Sequence, residues 1–394
     1  MRRWRKVVTV GLYQVERQMD TFKFRLRKRF GRLNAVTILA YRGHGTPEMI
    51  YLKGRVIEQK WVATVHTDSA WRNLLNTYRR FASDEIGGAR VRATFGGVAR
   101  ETVSDRGGYF EFALPPDPAL LSPKRVWYDV TLELVEYPGP RQADTRVIAP
   151  VIVPPPDAEF GVISDLDDTV IQSDVVHLLK LARNTFLKNS HTRLPFEGVA
   201  AFYHALQAGT RGSHNPIYYV SSSPWNLYDL IVDFFDVRGI PPGPLFMADL
   251  GITAEQLLKP DRRKHKLTQI RMLLATHPTL PFILIGDSGE VDPDVYLQTV
   301  EDYPGRIKAI YIRDVNPELD AQVIASIAER VRLAGSEMLL VKDTVGAAVH
   351  AAAKGFILPE ALPIIRQERN VDKKAANYVE DAADDPPRDE TTES

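Results

Sequence analysis

The stretch Gly161-Val162-Ile163-Ser164-Asp165-Leu166-Asp167-Asp168-Thr169 decides the fold. A short apolar run ends in three carboxylates within four residues. An apolar run of this length, closed by polar residues, reads as a strand covered on both faces. In parallel α/β sheets, ligands gather beyond the carboxyl ends of such strands. Crowding three carboxylates there is costly unless a cation or shared protons relieve the repulsion. The plain structural alternative is an acidic turn closed by an Asx cap. The density of acid favours the chemical reading, an oxygen-liganded site for a hard cation such as Mg2+ with a nucleophile beside it.

The flanking sequence supports a parallel sheet. Strand-like runs at Gly161–Ser164, Ile217–Val220, Phe282–Ile285, Ala309–Ile312 and Met338–Val341 alternate with helical patterns at Gly198–Gln207, Leu227–Phe235, His265–Ala275, Asp292–Glu301, Leu319–Ala334 and Ala347–Ala353. Alternation of this kind predicts a Rossmann-like α/β domain over residues 157–365. Three further polar clusters fall near strand ends. Ser221-Ser222-Ser223 follows an apolar strand and offers hydroxyls and amides that suit a phosphate oxygen. In Arg262-Arg263-Lys264-His265-Lys266-Leu267, Lys266 abuts the apolar side of a helix and is the lysine expected to point inward, whereas Arg262, Arg263 and Lys264 suit a solvated face. In Gly286-Asp287-Ser288-Gly289, Asp287 follows a strand directly and is the natural further metal ligand, with Asp292 in support.

Outside this region the character changes. Residues 34–153 carry short runs rich in Val, Ile, Thr and aromatics, separated by turn clusters such as Gly96-Gly97 and Asp105-Arg106-Gly107-Gly108. They predict an all-β domain, a small antiparallel sandwich, interrupted by one helix-like insertion at Trp71–Phe81. Pro154-Pro155-Pro156 cannot donate to a ladder and reads as a stiff linker. At the start, Leu12, Val15, Met19, Phe22 and Leu26 recur at helical spacing, so residues 1–33 read as a basic amphipathic helix. Residues 1–32 hold eleven Lys or Arg against Glu16 and Asp20. Residues 366–394 form an acidic tail that reads as disordered.

Composition bounds the rest. Lys and Arg total 50, as do Asp and Glu, so an overall basic protein that coats nucleic acid is disfavoured. Cysteine is absent, which excludes thiolate metal sites and a cysteine nucleophile and permits a cytoplasmic home. No apolar run approaches the ~20 residues of a transmembrane helix. The basic start lacks the apolar core of a signal peptide.

The order of the four clusters resembles the haloacid-dehalogenase-like superfamily, with Asp165, Asp167 and Thr169, then Ser221, then Lys266, then Gly286-Asp287 and Asp292, in the places of its motifs. The stretches SDLDDTVIQSDV, YYVSSSPWNLYDL, HKLTQIRMLL and PFILIGDSGEVDPDVY further resemble the conserved-domain family that includes the yeast actin-patch phosphatidate phosphatase and many bacterial proteins. The resemblance implies a haloacid-dehalogenase-type fold and a Mg2+-dependent phosphatase. In it Asp165 attacks phosphorus and Asp167 serves as acid and base. Lys266 and Ser221, with the neighbouring Ser222, neutralise and position the phosphoryl oxygens, and Thr169 holds the loop. Asp165 and Asp287 bind the metal through their carboxylates and Asp167 through its backbone carbonyl, with Asp292 supporting. The superfamily's dehalogenases lack the second aspartate, so phosphoryl chemistry is favoured here.

The implied substrate is phosphatidate, with a phosphoprotein or other bulky phosphoester as the alternative and a non-catalytic binding module as the third reading. Spacing bears on this choice. Fifty-one residues separate Thr169 from Ser221 and must hold a helix and a return to the sheet, which leaves no room for a large lid. An open site suits a substrate whose own bulk excludes water. The basic segment adds an anionic membrane surface as a peripheral partner. Deleting residues 1–32 is expected to weaken binding to anionic vesicles in a salt-dependent manner, as read by co-sedimentation; unchanged binding would count against that role.

Overall fold

The computed structural model describes residues 35–58, 85–137, 145–166, 198–212, 214–248, 261–289, 291–315 and 321–371. The amphipathic segment 1–33, the insertion at Trp71–Phe81, the site residues Asp167, Asp168 and Thr169, and the tail beyond residue 371 lie outside the described residues. The chain divides between Pro156 and Asp157 into two compact units.

The first unit is all β. Its strands are β1 (Val36–Ala40), β2 (Gly43–Gly45), β3 (Ile50–Glu58), β4 (Arg90–Phe95), β5 (Val98–Val103), β6 (Tyr109–Leu114), β7 (Trp127–Glu136) and β8 (Arg146–Ile152). Period-two alternation sends Val91, Ala93 and Phe95 of β4 and Val130, Leu132 and Leu134 of β7 inward to one core. Outward neighbours pair across strands, as where Arg92 meets Glu101 at 2.7 Å.

Two features differ from the expected two-sheet antiparallel sandwich. The strands join into one eight-stranded hydrogen-bonded sheet, in the order β1-β3-β2-β8-β7-β4-β5 with β6 on β3, and the β2–β8 pairing is parallel. The reason lies in β2, a Gly-His-Gly segment without strand-like periodicity. It pairs with β3 on one side and β8 on the other, joining what would be two sheets. A Cβ at Gly43 would stand 2.6 Å from the Tyr51 carbonyl oxygen, so the backbones approach this closely only through glycine. The edge strand β5 is exposed along most of its length, and its missing alternation hid it from a pattern reading.

The second unit is a six-stranded parallel sheet: β9 (Gly161–Asp165), β10 (Ile217–Pro224), β11 (Leu245–Ala248), β12 (Phe282–Asp287), β13 (Ile307–Arg313) and β14 (Met338–Val341). The order is β11-β10-β9-β12-β13-β14. The chain winds outward from β9 through β10 to β11, then from β12 through β13 to β14 in the other direction. β9 and β12 are therefore neighbours at the point where the winding reverses. The short strand β11 was not expected from the sequence.

Helices α1 (Val199–Ala208), α2 (Tyr228–Arg238), α3 (Arg262–Thr276), α4 (Asp292–Asp302), α5 (Ala321–Leu333) and α6 (Thr344–Ala353) cover the sheet. Successive side chains of β10 show both faces occupied. Tyr218 packs on His277, just after α3, while Tyr219 packs on Tyr203 of α1 and Phe235 of α2. This two-sided burial explains why β9, β10 and β12 are buried at every residue.

A seventh helix, α7, spans residues 362–371 and takes in residues 366–371, which the sequence reading assigned to the tail. Its polar contacts are tertiary. The α1 N-cap, Gly198, supplies no side-chain cap, and Glu368 of α7 instead accepts from the Ala201 amide at 2.6 Å. Arg369 pairs at 2.6 Å with Asp343, the N-cap of α6.

Below α3, the Tyr218 hydroxyl and His277 Nε2 lie 2.8 Å apart, and the Arg306 guanidinium donates to the His277 and Leu280 carbonyls. Burial, with the Arg306 charge adding to it, pushes the His277 imidazole down to about 4. Between that value and its ordinary range near 6.5 the folded state binds fewer protons than the unfolded chain, so acidification favours unfolding. Unfolding free energy is expected to fall by about 3 kcal/mol as pH drops from about 6.5 to about 4. In His277→Gln that part of the slope should vanish, as read by denaturant melts across the range.

Candidate active site

The site is built where β9, β10 and β12 end. Asp165 is the last residue of β9, opposite Val220 of β10, and Asp287 is the last residue of β12. The apolar residues that bury these strands on both faces carry the two carboxylates to the sheet's edge and under cover: Asp165 is 2% exposed and Asp287 7%. Lys266 comes from the first turns of α3, inside the apolar face formed by Leu267, Ile270, Leu273 and Leu274, and is 1% exposed. Asp292 opens α4 and is fully buried.

Lys266 Nζ lies 2.7 Å from Asp165 Oδ1 and 2.7 Å from Asp292 Oδ1. The second oxygen of Asp292 accepts from the Asp287 amide at 3.2 Å, and Asp287 Oδ1 accepts from the Gly289 amide at 2.8 Å. A Cβ at Gly286 would collide with the Asp292 carboxylate, so glycine is required for α4 to start this close to β12. One carboxylate oxygen from each of Asp165, Asp287 and Asp292 falls within 4.8 Å of the others.

The electrostatics are unbalanced. Three buried carboxylates face one ammonium among the described residues, a formal charge of −2 when all are ionised. Burying net charge costs several kcal/mol per ion unless it is paired, and the cluster could hold a cation. The three carboxylates could therefore hold a metal ion. Asp292 already takes the ammonium on one oxygen and an amide on the other. Burial and the surrounding Asp292, Asp165 and Asp287 hold the Tyr296 hydroxyl well above its ordinary range, so it stays a neutral donor to the Ile285 carbonyl at 2.8 Å.

β10 brings the serines to the same edge. Ser221 is fully buried, and its Oγ accepts from the Ser223 amide at 3.0 Å, which leaves its hydroxyl proton available for donation. Ser222 Oγ is buried without a hydrogen-bond partner among the described residues.

The structure thus brings Asp165, Lys266, Asp287 and Asp292 together, with Ser221 and Ser222 at the end of the adjoining strand. Asp167 and Thr169 lie outside the described residues. Residues that the pattern reading passed over also take part. Ser164 donates to the Asp165 carbonyl at 3.0 Å and lies 2.7 Å from the Tyr203 hydroxyl, so α1 braces the end of β9. His265 Nε2 lies 3.0 Å from the Ser221 carbonyl. Adjacency to Lys266 was the only sequence signal for His265, and Tyr203 had none.

A parallel sheet whose winding reverses beside buried carboxylates and an inward lysine is the arrangement in which α/β domains gather ligands, and comparison shows which proteins this segment resembles. Residues 160–314 match the family model described as Phosphatidate phosphatase APP1, catalytic domain. Phosphatidate phosphatase APP1 of Saccharomyces cerevisiae is 30% identical over 194 residues, 47% of this chain and 32% of its own length. An uncharacterized protein of Schizosaccharomyces pombe is 30% identical over 161 residues, 40% of this chain and 25% of its own. The chain thus spans about a third or less of the length of these relatives. Among solved structures, a carbohydrate acetylesterase from Xanthomonas citri aligns over 70% of this chain and 68% of its own at 11% identity and a TM-score of 0.27, too slight a likeness to bear on the fold. No helix among the described residues is long and apolar enough to cross a membrane.

Removing the ammonium would leave Asp165 and Asp292 buried without their shared cation. Lys266→Met is expected to lower unfolding free energy by about 3–5 kcal/mol, with part restored by millimolar Mg2+, as read by denaturant melts with and without the ion. A variant as stable as the parent would show that the charges are balanced elsewhere.

Proposed function

We propose that the second unit is a haloacid-dehalogenase-type, Mg2+-dependent phosphatase that hydrolyses phosphatidate to diacylglycerol and phosphate. The observation that carries this reading is the buried, net negative group of Asp165, Asp287 and Asp292 around Lys266 at the carboxyl edge of the sheet. The family match and the 30% identity to a phosphatidate phosphatase support the substrate class.

In this mechanism Asp165 and Asp287 would hold the ion through their carboxylates and Asp167 through its backbone carbonyl, with Asp292 orienting Lys266. When bound, Mg2+ would supply charge neutralisation at the phosphoryl oxygens and relieve repulsion between them and the carboxylates. An Asp165 carboxylate oxygen attacks phosphorus, and the bond from phosphorus to the glycerol oxygen breaks. Asp167 gives its proton to the departing alkoxide, releasing diacylglycerol and leaving an aspartyl-phosphate. Asp167, now a carboxylate, takes a proton from water as that water attacks phosphorus, which returns Asp165 and releases phosphate. Lys266 and the Ser221 hydroxyl donate to phosphoryl oxygens throughout, Ser222 offers a second hydroxyl, and Thr169 fixes the loop. Phosphoryl transfer depends more on such alignment and charge neutralisation than on further covalent chemistry. The basic segment 1–32 serves as a peripheral contact with the anionic surface that contains the substrate.

The test is phosphate release from phosphatidate vesicles. Activity is expected with Mg2+, to be lost in chelator, and to fall by roughly 10^3-fold or more in Asp165→Asn. Release from soluble phosphopeptides but never from lipid would overturn the substrate, and inactivity on aryl phosphates with Mg2+ would overturn the chemistry.

A further inference from the structure

The first turns of α3 deliver two neighbouring side chains to two different parts of the site. Lys266 reaches the carboxylates at the end of β9 and the start of α4, while the half-buried His265 turns to the end of β10. Its Nε2 stands 3.0 Å from the backbone carbonyl of Ser221. A carbonyl oxygen can only accept, so the ring nitrogen must carry the hydrogen. The ring is then either the neutral Nε2–H tautomer or the imidazolium.

The acceptor lies in the peptide unit that follows Ser221. A trans peptide is planar, with its C=O and N–H pointing in opposite directions. Fixing the Ser221 carbonyl toward α3 therefore also fixes where the Ser222 amide points. On the other side of the same residue, the Ser223 amide holds Ser221 Oγ at 3.0 Å. Both groups act on Ser221, the hydroxyl assigned to the phosphoryl oxygens.

We propose that His265 is a positioning residue: its Nε2–H holds the Ser221–Ser222 peptide plane so that the Ser221 hydroxyl meets the phosphoryl group in register with Lys266. The helix that supplies the lysine thereby also sets the serine turn, and the two phosphate-binding elements cannot drift apart independently. This inference rests on the phosphatase reading and adds a residue to its phosphate site.

The experiment uses the full chain with Mg2+ and orthovanadate as the probe. His265→Ala is expected to weaken vanadate binding and to lower kcat/KM on an aryl phosphate by about tenfold, the size of one hydrogen bond's loss. Mg2+ affinity and thermal midpoint should stay near the parent's. His265→Gln, whose amide can donate to the same carbonyl, should recover most of the loss, a rescue that simple packing would not predict. Vanadate affinity in His265→Ala equal to the parent's, or a glutamine variant as weak as the alanine one, would overturn the assignment. Nitrogen-15 spectra of the parent give a check that needs no variant, since an Nδ1–H tautomer, with no hydrogen on Nε2, would refute it. A parent chain that binds no vanadate and releases no phosphate would remove the phosphatase reading and this inference together, whereas a binding parent with an indifferent His265→Ala removes His265 alone.

Discussion

Lys266 sits between two buried aspartates, 2.7 Å from an oxygen of each, and the arrangement of the second unit depends on that contact. A buried ammonium and a buried carboxylate are each expensive alone, and breaking such a pair is far worse than never having formed it. The contact therefore constrains three elements at once: the end of β9 through Asp165, the first turns of α3 through Lys266, and the start of α4 through Asp292. Asp292 extends the constraint to β12, because its other oxygen accepts from the Asp287 amide and its closeness is possible only over Gly286.

The same contact leaves charge uncompensated, which links stability to chemistry. Among the described residues, three acids against one lysine store a local need for positive charge at the sheet's edge. A fold optimised for stability alone would place apolar residues there. Retaining the acids under cover, at the point where the winding of the sheet reverses, is the feature on which the proposed cation and phosphate site rests.

Support for the centre comes from residues with no chemistry of their own in it. Tyr203 of α1 braces Ser164 and through it the carbonyl of Asp165. Glu368 of α7 caps α1, which lacks a side-chain cap of its own. These links run from α7 to the end of β9 through single hydrogen bonds, each worth about 1 kcal/mol and together setting geometry more than stability.

Much of this was legible in the sequence, for identifiable reasons. The apolar strands ending in Asp165 and Asp287 and the helix carrying Lys266 announce themselves because a buried strand must be apolar throughout and a site residue must stand at its polar end. The alternation of strands and helices implied a parallel sheet without any coordinates. What it could not disclose were pairings whose partners lie far apart in the chain. The three-residue β2 has no pattern and becomes a strand only because β3 and β8 flank it. Glu368 looks like part of an acidic tail until α1 presents an amide to it. His265 is one more residue in a basic run until helix geometry turns it from its neighbour Lys266 toward Ser221. Residue chemistry is local and can be read in order along the chain. Hydrogen-bond partnership depends on direction and distance in space, so those assignments were made by the tertiary structure alone.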